Sequence, residues 1–181
     1  MLHGAALRRA LGALASRPLR DVFHRAVPLR YARDPLGRRR PIAAQRFNAH
    51  GGARVLYLAE DHATCLHEVQ AFGFPPATYA IVPVQVHLRA VLDLRDRPVR
   101  LALGLSVAEM NANFRTARAG ALAPTQVLGE ACAASGLVDG LLYPSLARRG
   151  GTNLAVVEAG LRHGGRLLVN DPENNLRAHL P

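Results

Sequence analysis

The 181-residue chain contains no lysine, and all 23 of its basic residues are arginine. That absence removes a phosphate-loop lysine, a Schiff-base lysine and a lysine general base from consideration. A GC-rich genome explains the bias more simply than a functional demand for guanidinium. Tryptophan is also absent, aromatics number nine in all, and no RNA- or DNA-binding motif is recognisable, so a base-stacking platform lacks its usual material. Two cysteines, Cys65 and Cys132, are too few for a disulfide framework and read as reduced, buried thiols of a cytosolic protein. His62, His67 and Glu68 lack the second histidine of a metalloprotease helix, and no metal is expected. No apolar run approaches the roughly 18 residues that a membrane span needs, and a cytoplasmic location follows as the expectation.

What the chain does have is positive charge, +10 in formal net terms. Such a balance favours a negatively charged partner: nucleic acid, a phosphorylated cofactor or an acidic protein. It does not choose among them. A basic nucleic-acid-binding module without enzymatic turnover therefore stands as one reading, and its binding should weaken steeply with salt.

The length fits one domain. Residues 1–20 carry arginines but no acid, and their Leu-Gly-Ala-Leu-Ala stretch is shorter than a signal-peptide core of about 7–15 apolar residues. Leu7, Leu11 and Leu14 recur at helical spacing, which predicts an N-terminal helix or arm ahead of a domain spanning 21–181. Residues 28–45, rich in Pro and Arg and including Arg38–Arg40, read as a solvent-side loop. Residues 78–88 suggest a strand, with Pro83 favouring an edge or bulge. Ser106 to Glu109 forms a capping box opening a helix to about Arg118. Pro124 starts a second helix that stops at Gly136. Short strands follow at 138–143, 153–158 and 166–169. The irregular alternation, without long βαβ units, indicates an α+β fold: a single compact domain with a mixed sheet and flanking helices.

The segment from Arg46 to Phe72 carries the most information. After Arg46-Phe47-Asn48 and the Gly51-Gly52 turn comes the unbroken apolar run 55–59, which predicts a strand covered on both faces. Asp61 is a fitting N-cap and Gly73 a fitting stop for a helix over 62–72. At about 100° per residue, Cys65, Val69 and Phe72 share one side, with Glu68 at its edge and His67 and Gln70 opposite. An inward carboxylate is expensive to desolvate without a partner, so Glu68 belongs either to a buried ion pair or to a cleft.

These residues resemble the RES domain, the toxin half of a bacterial toxin–antitoxin pair. The motifs are Arg46-Phe47-Asn48-x-x-Gly51, Leu56-Tyr57-Leu58-Ala59, Thr64-Cys65-Leu66-x-Glu68-Val69, and Pro144-Ser145 followed by Gly150-Gly151-Thr152-Asn153-Leu154. They occur in the family's order and at suitable spacings across most of 22–172, with Phe23-His24-Arg25 where the family tends to have an aromatic followed by arginine. Two departures stand out. Ala44-Gln45 replaces glycines usual before the first arginine, and Cys65 replaces a usual alanine.

The resemblance implies a fold similar to ADP-ribosyltransferases and an enzyme that consumes NAD as substrate. Breaking the nicotinamide–ribose bond needs no general acid, because the leaving group is already a cationic pyridinium, but it passes through an oxocarbenium-like centre. Glu68 is thereby implied as the carboxylate beside the ribose, Arg46 as the guanidinium gripping the diphosphate, and Tyr57 as the ring stacking on nicotinamide. Ser145 is implied as a partner of a ribose hydroxyl or phosphate. Arg25, Asn48, Arg148 and Asn153 are further NAD-binding candidates. The acceptor of the ADP-ribosyl group, whether water, inorganic phosphate or a protein side chain, stays open. Growth arrest and a hetero-oligomer with a helix-turn-helix antitoxin covering the active site are implied as well, with DNA reached only through that partner. Each residue keeps a structural alternative: Tyr57 as core, Ser145 as a turn residue, and Glu68 with Arg46 as a buried bridge.

Overall fold

In the computed structural model, residues 1–181 are described except 39–40, 72, 74, 76–77, 117–120 and 172–175, with backbone alone at 116, 163, 171 and 176. Phe72, Arg39, Arg40 and the end of the helix expected to reach Arg118 therefore lie wholly or partly outside the described residues.

Seven strands form one sheet in the order β1 (Arg17–Pro28), β2 (Val55–Ala59), β5 (Thr152–Val157), β4 (Gly140–Pro144), β3 (Tyr79–Asp93), β6 (Arg166–Asp171) and β7 (Leu176–Leu180). β1 also pairs antiparallel with β3 along nearly its whole length, from Arg17↔Val91 to Pro28↔Tyr79. The strands β1, β2, β5, β4 and β3 thus close into a ring, and β6 and β7 extend from β3. The sheet is mixed, because β3 and β4 run parallel while the other pairs are antiparallel. Pro83 sits where β3 has β1 on one side and no β6 partner on the other, since β6 joins only at Gln85–His87. A residue lacking an N–H is tolerated there.

Alternation along the strands sorts side chains into two cores. Phe23, Leu56, Leu58, Val84, Val86 and Leu154 pack inside the ring. Tyr143, Ala155 and Val157 face the other way, against α1 (Gly4–Ala13) and α5 (Pro124–Ser135), meeting Leu7, Leu11, Leu128 and Cys132. All six residues of β5 are buried, as expected of a strand covered on both faces. The predicted 1–20 segment is a helix followed by the start of β1, and Leu7 and Leu11 anchor it. Burying each such leucine contributes about 1.5–3 kcal/mol.

Helix α5 begins at Pro124 and ends against Gly136, whose φ of 64° takes the left-handed conformation that glycine allows. It approaches the chain so closely that a Cβ on Gly129 would overlap the carbonyl oxygen of Phe47. Two expectations change. The capping-box helix α4 covers only Val107–Asn111, because the backbone turns extended at Ala112; Asn111 and Asn113 are weak helix formers, and Asn113 Oδ1 accepts from the Arg115 amide instead. The 28–45 stretch is not wholly on the solvent side: Leu36 is 1% exposed and belongs to the ring core. Among the described residues the other α-helices are α2 (His62–Ala71) and α3 (Arg97–Ala102), the latter not expected from the sequence. None of the described helices is long and apolar enough to cross a membrane.

Candidate active site

Helix α2 is set by its cap. Asp61 Oδ1 accepts from the Thr64 amide at 2.6 Å, and Asp61 Oδ2 accepts from Arg148 Nη1 at 2.6 Å. These contacts, the amide bond foremost, lower the Asp61 carboxyl from its ordinary 3.8 to about 2. Thr64, Cys65 and Val69 are buried, while Glu68 is half-buried and looks across at β4 and β5. There its Oε1 accepts two hydrogen bonds, from Ser145 Oγ at 2.7 Å and from Asn153 Nδ2 at 2.5 Å. Ser145 follows the end of β4, and its Oγ also accepts from the amides of Ala147 and Arg148. Asn153, 4% exposed, lies within β5. The Glu68 carboxylate is therefore held by one side chain on a turn and one on a fully buried strand.

Arg46 approaches from a different wall. The pair Gln45↔Asn48 forms an isolated antiparallel bridge, so Arg46 and Phe47 occupy the tip of a tight turn. Three side chains brace it. Gln126 Nε2 donates to the carbonyls of Gln45 and Asn48. Tyr57 accepts from the Phe47 amide and donates to Asn48 Oδ1, each at 2.8 Å. Glu130, one helical turn beyond Gln126, accepts from the amides of Ala49 and Ala53. The turn is thus shaped by its neighbours without the glycines the family usually places there. Arg46 Nη1 donates to the Met110 carbonyl at 2.6 Å, and the guanidinium lies 6.0 Å from the Tyr143 ring centre.

Between these walls lies a cavity of about 450 Å³. Of the eight residues singled out from the sequence, Arg25, Arg46, Tyr57, Glu68 and Asn153 line it. Ser145, Asn48 and Arg148 do not. Ser145 stands behind Glu68, Asn48 is buried beneath the Arg46 turn with Nδ2 donating to the Ala43 and Ala49 carbonyls, and Arg148 is held by Asp61 and Thr64. Arg46 and Glu68 form no ion pair among the described residues, which removes the buried-bridge alternative.

Tyr79, Phe114 and Tyr143 also line the cavity and carried no motif signal, and His24 lines it too, beside Arg25 in the quoted motif but not itself a candidate. Gln126 and Glu130, which shape the Arg46 turn, are legible only as polar residues one turn apart on a helix. Burial raises the Tyr57 phenol well above its ordinary value, and it raises the Tyr143 phenol too. The Cys65 thiol, also on the cavity wall, is pushed up to about 11, chiefly by burial. It therefore stays protonated near neutral pH and is a poor nucleophile.

The fold is that of a solved toxin. Superposition on a chain of the M. tuberculosis MbcT-MbcA toxin-antitoxin complex gives a TM-score of 0.70 at 22% identity, covering 93% of this chain and 91% of that one. No curated relative matches. The chain belongs to the RES domain family, whose model matches residues 22–177 and so takes in Arg46, Tyr57, Glu68, Ser145 and Asn153.

Proposed function

We propose that this chain is the NAD-consuming toxin of a toxin–antitoxin pair and cleaves the bond between nicotinamide and ribose. The observation that carries the reading is the Glu68 carboxylate, fixed through Oε1 by Ser145 and Asn153 at the wall of a cavity that Arg46 and Tyr57 also line. Its Oε2 has no hydrogen bond among the described residues, which leaves that oxygen for ribose hydroxyls and for the positive charge developing at the anomeric carbon. As the C–N bond breaks, its electron pair returns to the pyridinium ring and nicotinamide departs neutral, so no proton is required. A negative charge held in a partly desolvated site stabilises the oxocarbenium-like centre without reorganising.

Arg46 supplies a planar guanidinium for the diphosphate of NAD. Tyr57 and Tyr143 offer ring faces for nicotinamide. Ser145 and Asn153 position Glu68, and Asn48 with Tyr57 positions the Arg46 turn; Arg148 holds the start of α2. Arg25 is a second guanidinium within reach of the phosphates. The acceptor is water, inorganic phosphate or a protein side chain. Nicotinamide release by the purified chain, measured with and without phosphate, tests the proposal and separates phosphorolysis from hydrolysis; a folded protein that leaves NAD intact under every acceptor condition refutes it.

The structural neighbour is named as half of a toxin–antitoxin complex, which supports an antitoxin partner for this chain. In this reading a helix-turn-helix antitoxin covers the cavity, carries the pair to DNA, and prevents arrest of growth in the cytoplasm. The +10 charge suits an acidic docking surface, since charge complementarity speeds encounter. Expression without the antitoxin should halt bacterial growth.

A further inference from the structure

A second cavity, of about 540 Å³, lies at the other end of β1 and shares no lining residue with the first. Arg20 and His24 mark the nearer edges of the two, roughly 13 Å apart at the usual rise along a strand. Strand register builds this second site. Arg20 on β1 lies directly opposite His87 on β3, and His87 lies directly opposite Arg166 on β6. Alternation puts all three on the outward face, because Leu19, Val86, Leu88 and Leu167 point into the core. Arg89, two residues along β3, projects from the same face and completes the wall beside Gly164.

Every charged group lining this cavity is cationic. Arg20 has no hydrogen bond or ion pair among the described residues. Arg166 Nε donates to His87 Nδ1 at 3.3 Å, which leaves the rest of its guanidinium fork and the other imidazole nitrogen available. The nearby carboxylate, Asp139, is buried beneath the strand, where it accepts from the backbone amides of Arg89 and Ala90, and it does not line the cavity. His87, accepting at Nδ1, presents Nε2–H as a donor between the two outward guanidinium groups of Arg20 and Arg166, and among the described residues no carboxylate lines the cavity to offset their charge. Arginine forks match the geometry of a phosphate's oxygens.

We propose that this second cavity is an oxyanion site that binds a phosphate or diphosphate group, apart from the NAD cavity. The ligand is either a free polyphosphate or a phosphate of a nucleic-acid backbone. Both present the same oxygens to Arg20, His87, Arg89 and Arg166. The proposal stands independently of NAD turnover, which serves as its control.

The test is titration calorimetry with inorganic diphosphate on the Arg46→Ala protein, in which the arginine proposed to grip the NAD diphosphate has been removed. Binding should persist there, and adding Arg20→Gln with Arg166→Gln should weaken it at least tenfold. Both positions are solvent-exposed, so the melting temperature without ligand should hold or rise as like charges are removed. In the parental background the same pair of substitutions should leave nicotinamide release within about twofold of the parent. Displacement of diphosphate by a short DNA duplex, with strong salt dependence, supports the site with a nucleic acid as its source. Diphosphate binding with no such displacement supports it with a free polyphosphate. Diphosphate affinity unchanged by the two glutamines, or lost with Arg46→Ala alone, overturns the proposal.

Discussion

Replacing Asn153 by alanine is the most incisive perturbation of the site, because it removes a support of Glu68 and leaves the carboxylate in place. The Asn153 amide donates to Glu68 Oε1 at 2.5 Å, and the second donor on that oxygen is Ser145 Oγ at 2.7 Å. A hydrogen bond to a charged group contributes about 1.5–3 kcal/mol. If that contribution is expressed at the transition state, the rate falls by roughly 10- to 100-fold, at 1.36 kcal/mol per tenfold. Asn153 reaches the carboxylate and not the diphosphate region around Arg46, so the loss should appear in kcat for nicotinamide release, with KM for NAD moving little. The Ser145 bond remains, so the fold around α2 should persist in circular dichroism. Coupling provides the sharper criterion. Once Glu68→Gln has removed the charge, Asn153→Ala should add much less than it does alone. A folded Asn153→Ala protein that turns over NAD at the parental rate refutes the reasoning, and so does an effect that adds in full to that of Glu68→Gln.

Three other outcomes follow from the same geometry. Tyr57→Phe keeps the ring but removes the hydroxyl that accepts from the Phe47 amide and donates to Asn48; stranding those groups costs about 1–3 kcal/mol, so thermal denaturation should show a midpoint lower by roughly 2–10 °C. Arg46→Ala should raise KM for NAD at least tenfold in initial-rate kinetics with a smaller change in kcat, because its proposed role is gripping the diphosphate. Asp61→Asn should destabilise the protein at neutral pH by weakening the hold on Arg148. Because the Asp61 carboxyl is lowered from 3.8 to about 2 in the folded chain, its stabilising effect is present above the unfolded value and is lost as pH falls through the folded one. The gap between parent and variant in denaturant melts should therefore shrink between pH about 4 and about 2.

Local signals in the sequence were enough to read α2 and α5. Each has a cap or stop with a mechanism: Asp61 for α2, Pro124 and Gly136 for α5. The half-buried setting of Glu68 followed from its angle to Cys65 and Val69. β1 escaped notice because Arg17–Pro28 alternates weakly and bears outward arginines; its extended state is set by twelve residues of strand lying along β3, and strand formation depends on such distant partners more than on intrinsic preference. The same pairing closes the ring, a long-range event with no local trace. Helix α3 leaves little trace in the sequence, being six residues long with Pro98 in its first turn, where proline is tolerated. At the site, motif residues were legible while their division of labour was not. Whether Ser145 lines the cavity or stands behind Glu68 depends on where the end of β4 meets α2. The role of Gln126 emerges only once α5 packs against the Arg46 turn.

The central claim is that Glu68 provides the negative charge beside the breaking bond, and Glu68→Gln tests it most directly. Glutamine keeps the side chain's length and an oxygen able to accept from Ser145 and Asn153, so the melting temperature should hold or rise. Nicotinamide release from NAD should fall by about 100-fold or more, the scale of losing one electrostatic stabiliser. A Glu68→Gln protein that stays folded and consumes NAD at the parental rate contradicts the account.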